Sequence, residues 1–146
     1  MEIERKFLIR ELPQDTEQYP CDRIEQAYIS GKPTIRIRKK NNDCILTVKG
    51  PGKLAHEEFE LPIDAEAYER LLRKCEGKMI VKRRYRIPYG KYTIELDIFS
   101  APKSLILAEV EFESIQEALA FEGPSWFSED VTEDPRYSNA HIAFEE

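Results

Sequence analysis

Most of the chain alternates between apolar and polar positions. In the opening MEIERKFLI, Glu2, Glu4 and Lys6 fall on one face of an extended strand, and Ile3, Phe7 and Ile9 on the other, with Arg5 the one charge among them. The same period of two predicts strands at roughly 2–9, 24–30, 34–40, 44–49, 57–63, 80–88, 92–99 and 106–113. Their links are short and turn-like: Asn41-Asn42-Asp43, Gly50-Pro51-Gly52, Pro88 to Lys91, and Ala101-Pro102. Links of this kind join antiparallel neighbours. Helical spacing appears in DAEAYERLLRKCEG (64–77), with Asp64 as N-cap and Gly77 as stop. It appears again from Ser114, where Ser114 and Glu117 form a capping box and Gly123-Pro124 ends the pattern. The tail predicts a loop anchored by Trp126 and Phe127 and closed by a short helix near 138–144. The expectation is one mainly β domain over 1–146: antiparallel strands with a few flanking helices.

The polar faces of these strands are unusual, because most carry a single sign of charge. Arg36, Arg38 and Lys40 share one face, Lys49 follows, and Glu58 and Glu60 come next. Lys82, Arg84 and Arg86 form another basic row, Glu95 and Asp97 an acidic one, and Glu109, Glu111 and Glu113 a second. Like charges at i and i+2 lie about 6.6 Å apart, which costs about 0.6 kcal/mol in water but about 2.5 kcal/mol at an effective dielectric of 20. On an open sheet with one wet face the pattern is cheap. In a closed barrel it is costly unless counter-ions fill the space, and eight strands suffice to enclose a small ligand. Carboxylate pairs suit Mg²⁺ or Mn²⁺, and Lys/Arg pairs suit phosphate oxygens, so a metal-bound polyphosphate would neutralise both sets. The pattern alone leaves the open and closed arrangements undecided. Glu58, Arg86, Lys40 and Glu113, near strand ends, read as solvated charges, and Glu95 and Asp97 also suit a role in orienting the bases.

Composition narrows the partners. The 146 residues carry 22 Lys+Arg against 28 Asp+Glu, a net charge of −6, which argues against a general nucleic-acid or anionic-membrane binder. Cys21, Cys44 and Cys75 are odd in number and widely spaced, so they read as reduced thiols, mostly core filler. With only His56 and His141, a histidine-based metal site is not expected, and His56, just after the GPG turn, is expected to be exposed. KGPGK lacks the spacing of a phosphate loop and reads as a hairpin turn. No signal peptide or membrane-length apolar run fits the sequence, so the expected location is cytoplasmic.

The ordered set EIERK, QAYIS, TIRIRKK, LTVKG, EEFEL, VKRRY, IELDIF, AEVEF and WFSEDVTEDPRYSN resembles the CYTH superfamily, the triphosphate tunnel metalloenzymes. ExExK alone is a weak pattern; its combination with the others covers nearly the whole chain. The resemblance implies an eight-stranded antiparallel closed β-barrel, a tunnel with its charges inside. It further implies Glu2, Glu4, Glu109 and Glu111 as Mg²⁺ or Mn²⁺ ligands, with Asp97 and Glu60 near a second metal or metal-bound water. Lys6, Arg36, Arg38, Lys49, Lys82 and Arg84 become phosphate clamps, with Arg136 reaching one tunnel mouth. Tyr28 is expected to be a hydrogen-bonding group of the lumen beside Lys6, and Glu60 a candidate proton acceptor.

What the resemblance implies for function is hydrolysis of a small triphosphate, inorganic tripolyphosphate first, with no nucleic-acid or membrane partner and a monomeric or homodimeric chain. Class IV adenylate cyclase and thiamine triphosphatase share the same phosphate and metal parts. A non-catalytic polyphosphate-binding module is the alternative outside enzymology, and the intact carboxylate pairs count against it.

Overall fold

In a computed structural model that describes residues 1–145, the eight predicted strands all form. They are β1 (Glu2–Ile9), β2 (Cys21–Gly31), β3 (Thr34–Lys40), β4 (Asp43–Lys49), β6 (Glu58–Ile63), β7 (Glu76–Tyr89), β8 (Tyr92–Ala101) and β9 (Leu105–Glu111). Two short strands join them, β5 (Ala55–His56) and β10 (Phe127–Asp130). Three helices follow the predicted positions: α1 (Ala65–Leu72), α2 (Ile115–Ala120) and α3 (Asn139–Phe144). Asp64, Ser114 and Ser138 cap them by accepting from Ala67, Glu117 and His141 N–H. No described helix is long and apolar enough to cross a membrane.

The strands run in the order β10-β1-β9-β8-β7-β2-β3-β4-β6, every pair antiparallel. The remaining edge of β1 is shared. β5 pairs with it at Glu2 and Ile3, and β10 pairs with it near Phe7 and Ile9. β5 leads through Glu57 straight into β6, which pairs with β4, so this one run of chain bridges the gap and nearly closes the barrel. The GPG turn is therefore not a simple hairpin. Gly52 has φ +113, and a Cβ there would lie 2.2 Å from the Ala55 carbonyl oxygen, so the turn into β5 needs glycine.

Two of the three apolar clusters lie on the outside of the wall, and the third takes the inward face, with Phe99 opposite Lys82 and Leu107 opposite Asp97. Phe7, Ile87, Ile94, Leu96, Val110 and Phe112 pack under α2 and against Phe127, with Trp126 beside them, as expected of the tail anchor. Ala27, Ile37 and Cys44 pack under Tyr68 of α1. The third cluster, with Tyr28, Ile80, Phe99 and Leu107, meets Ile142 and Ala143 of α3 and the tail at one end of the barrel. Arg5, the exception in the outward row of β1, donates to the Ala118 and Phe121 carbonyls at 2.8 and 3.0 Å and pairs with Asp130 at 2.7 Å. Its charge thus meets the last carbonyls of α2, where a cation is favoured.

Two expectations are corrected, on Gly77 and on the cysteines. Gly77 does not stop the helix, which ends at Leu72; it lies in β7 with φ +74, where a Cβ would come within 2.7 Å of the Ala143 carbonyl oxygen of α3. Cys21 is exposed at the start of β2, so only Cys44 is buried core filler, with Cys75 partly covered. Phe59 and Leu61, on the apolar face of β6, stay exposed, because α1 packs on β2, β3 and β4 and leaves β6 open. Leu96→Ala, which empties a fully buried site in the cluster under α2, should destabilise the fold by about 2–5 kcal/mol in urea unfolding.

Candidate active site

Antiparallel register brings the acidic rows together. Glu4 of β1 stands opposite Glu111 of β9, and Lys6 opposite Glu109. One carboxylate oxygen from each of Glu2, Glu4 and Glu111 lies within 4.8 Å of the others. Without a cation such a cluster resists ionisation. Burial, then the charges of Glu109 and Glu2, push Glu4 up to about 8; burial, then Glu95 and Glu2, push Glu111 up to about 7. Glu2 goes the other way, to about 2. Burial opposes that shift but is outweighed by a hydrogen bond from Glu58, the Lys49 ammonium at 3.3 Å and His56 at 2.7 Å. A group of close hard oxygens that repel one another when ionised fits a divalent cation.

The basic rows sort into two kinds. Lys82 and Arg84 are tied to Asp97: Lys82 Nζ lies 2.8 Å from one oxygen, and the Arg84 guanidinium spans both at 2.8 and 2.9 Å. Asp97 thus meets bases on both oxygens, which fits the orienting role. Burial pushes Lys82 down to about 7 in spite of Asp97, and Asn139 of the tail covers its ammonium at 3.1 Å. Glu109 is likewise drawn to the bases, 3.4 Å from Lys6 and 3.5 Å from Arg84. It stands apart from the cluster of Glu2, Glu4 and Glu111.

Arg36 and Arg38 of β3 are different, since neither has a carboxylate partner among the described residues. Arg36 donates to the Thr47 hydroxyl at 3.2 Å, and its Nε is buried without a partner. Arg38 donates to Gln26 at 2.8 Å; burial, then Arg36 and Arg84, push it down to about 9. Positive charge is crowded here with no anion to balance it.

Glu2, Glu4, Glu109, Glu111, Lys6, Arg36, Arg38 and Arg84 line one cavity of about 390 Å³ with Tyr28, Lys49, Glu58 and Glu60, whereas the buried Lys82 and Asp97 are not in its lining. Tyr28 is buried, and its hydroxyl accepts from Gln26 at 3.3 Å, so it is a lumen group and not a mouth aromatic. Lys6 donates to the Tyr137 carbonyl at 2.9 Å, which ties the tail to the tunnel. Arg136 is not brought in. It lies outside the lining, exposed and paired with Asp134 at 2.7 Å. Three residues join the site against expectation, and the first, Lys40, lines the cavity from the end of β3. His56 is buried, not exposed, because β5 pairs it with Glu2; Glu58 contacts Glu2 instead of solvent, and burial and then that contact push it up to about 7. The alternation already placed Glu58 on one face with Glu60, but no local pattern marks His56: its signal lies in the pairing of β5 with the first strand.

Residues 1–137 match the family model described as the CYTH domain. The chain belongs to the CYTH domain family. Among curated CYTH relatives, the inorganic triphosphatase of Nitrosomonas europaea is 40% identical over 97% of this chain and 96% of its own length. The inorganic triphosphatase of Acetivibrio thermocellus is 32% identical over 97% and 92%. A crystal structure of an inorganic triphosphatase superposes with a TM-score of 0.72 at 34% identity, covering 100% of this chain and 96% of that one. An adenylate cyclase-like structure from Bacillus halodurans, 16% identical and covering 92% and 97%, shares the fold with a TM-score of 0.58. CYTH triphosphatases generally depend on a divalent metal.

The raised carboxyls set a pH dependence. Glu4, Glu58 and Glu111 hold their protons in the fold above the ordinary value of 4.5, so their cost appears as pH rises from about 4.5 and is complete by about 8. Over that window the stabilisation from the depressed Glu2, Glu109 and Asp97 is already fully present. The cost of burying the Lys82 ammonium is also constant up to about pH 7. Metal-free protein should therefore melt at falling temperature from pH 5 to 7, roughly 2–4 °C for each kcal/mol lost. Glu4→Gln should flatten the slope, as read by calorimetry.

Proposed function

We propose that this chain is a metal-dependent inorganic triphosphatase that hydrolyses tripolyphosphate to pyrophosphate and phosphate within the barrel. The observation that carries the reading is the pairing of two unbalanced charge sets in one cavity. Arg36 and Arg38 face the lumen with no anionic partner, and Glu4 and Glu111 face it with no cationic one among the described residues, beside Glu2, which has Lys49. A triphosphate bound with a divalent ion neutralises both at once. The names of the curated relatives support the inorganic substrate. The cavity is within the size range of small-ligand sites.

In this reading Glu2, Glu4 and Glu111 hold Mg²⁺ or Mn²⁺. When bound, that ion supplies positive charge against phosphoryl oxygens. Arg36 and Arg38 grip the phosphates by their planar forks, and Lys6 and Lys49 add compact positive charge. Arg84 and Lys82 are held rigid by Asp97, so their charge needs no reorganisation as negative charge moves onto the leaving pyrophosphate. Tyr28 fixes Gln26, and Gln26 in turn accepts from Arg38, so this polar pair orients the clamp. Glu60 lines the cavity and is the candidate to take the proton of the attacking water. Phosphoryl transfer asks mainly for this positioning and electrostatic support.

The test is to incubate purified protein with tripolyphosphate, ATP and thiamine triphosphate, with and without Mg²⁺ or Mn²⁺, measuring phosphate and cyclic AMP. Tripolyphosphate should be consumed fastest, and chelator should stop it. Cyclic AMP as the main product, or phosphate release indifferent to chelator, would overturn the reading. Arg38→Ala and Glu4→Gln should each lower tripolyphosphate turnover by about 100-fold or more with an unchanged circular dichroism spectrum.

A further inference from the structure

Beside the cluster of three carboxylates lies a second group of donors that the chemistry above leaves unused. His56 Nε2 is 2.7 Å from Glu2 Oε1, and a Glu58 carboxylate oxygen lies close to the same carboxylate. Ligand atoms of Glu2, His56 and Glu58 all lie within 4.8 Å of one another. The imidazole is only 6% exposed, and its Nδ1 is buried with no partner among the described residues. Two carboxylates in contact need a proton or a cation between them. Lys49 Nζ, 3.3 Å from Glu2 Oε1, supplies positive charge here, but Lys49 belongs to the phosphate-binding set and would turn to the substrate.

We propose that Glu2, His56 and Glu58 form a second cation site, joined to the first through Glu2, whose imidazole selects Mn²⁺ or a similar transition ion over Mg²⁺. The chemistry follows from the donors. Three carboxylates suit hard ions of either kind, whereas an imidazole is a good ligand for transition ions and a poor one for Mg²⁺. Glu2 takes part in both groups and has two oxygens, so it can serve one ion on each side. The fold builds the site by register: β5 is two residues long, and its pairing of His56 with Glu2 is the contact that closes the barrel. The proposal rests on the hydrolase reading only in taking Glu2 as a ligand of the first ion. A pair of ions joined in this way is an arrangement suited to phosphoryl chemistry.

The test needs no substrate. Isothermal titration of the metal-free full-length protein should count two Mn²⁺ per chain but one tightly bound Mg²⁺. His56→Gln and Glu58→Gln should each retain one Mn²⁺ and lose the other, with circular dichroism spectra like that of the parent. Electron paramagnetic resonance should show spin coupling between the two Mn²⁺ ions in the parent and an uncoupled signal in His56→Gln. If His56→Gln fails to fold, Glu58→Gln carries the same comparison. A parent that binds a single Mn²⁺, or variants that still bind two, would overturn the second site while tripolyphosphate turnover still stood. Two ions bound without tripolyphosphate turnover would overturn the hydrolase reading and leave the site in place.

Discussion

Asp97 holds the charges of Lys82 and Arg84 with both of its oxygens, out of reach of water, and the interior of the barrel depends on contacts of this kind. A wall that turns Lys, Arg, Glu and Asp inward is tolerable only where acids and bases meet across the enclosed space. Removing the water around two such charges is expensive, and leaving one without the other costs about 3–5 kcal/mol more. Glu109 makes a second junction, between Lys6 and Arg84. These junctions hold the side chains of β1, β7, β8 and β9 in one network, so the strands that carry them are fixed in mutual register.

The inward turn of charge dictates where the apolar faces go. Each strand alternates, so the wall is apolar outside, and that surface must be covered by the rest of the chain. Helix α1 covers Ala27, Ile37 and Cys44, and α2 with the Trp126-Phe127 segment covers the face of β1, β8 and β9; α3 packs instead on Tyr28 and Phe99, which share the inward face with the charges. The tail is also tied to the lumen, since Lys6 donates to the Tyr137 carbonyl and Lys82 to Asn139. Charge balance and core packing are two consequences of one alternation.

Compensation within the lumen is incomplete, and that is where stability and function part. Asp97 and Glu109 balance the bases of β7 and β1, but Arg36 and Arg38 on β3 have no such partner. On the other side Glu2, Glu4 and Glu111 crowd together, and burial with mutual repulsion keeps Glu4 and Glu111 protonated well above the usual carboxylate range. A protein optimised only for stability would have paired these groups with each other. Holding them apart across a cavity stores an electrostatic preference for a ligand that carries both signs, and a metal-bound polyphosphate does.

The alternation of Glu2, Glu4 and Lys6, of Arg36 and Arg38, and of Glu109 and Glu111 was enough to derive the eight strands, the single-sign faces and the chemistry they suit. It was enough because side-chain direction along a strand is a local property with a period of two. Closure was not local. Whether the charged faces look inward depends on β5 reaching back to β1 from more than fifty positions away, and that pairing is also what buries His56 against Glu2. The division of labour among like-charged residues was equally out of reach. Asp97 and Glu111 are both acids on lumen faces, yet one is filled by Arg84 and Lys82 and the other stands in a cluster of carboxylates. Arg136 lies outside the lining for a local reason, exposed and paired with Asp134 two residues before it. Sequence determines which face a side chain takes. The neighbours that fill or leave open its charge are set by strands distant in the chain, and only their packing into one closed wall decides them.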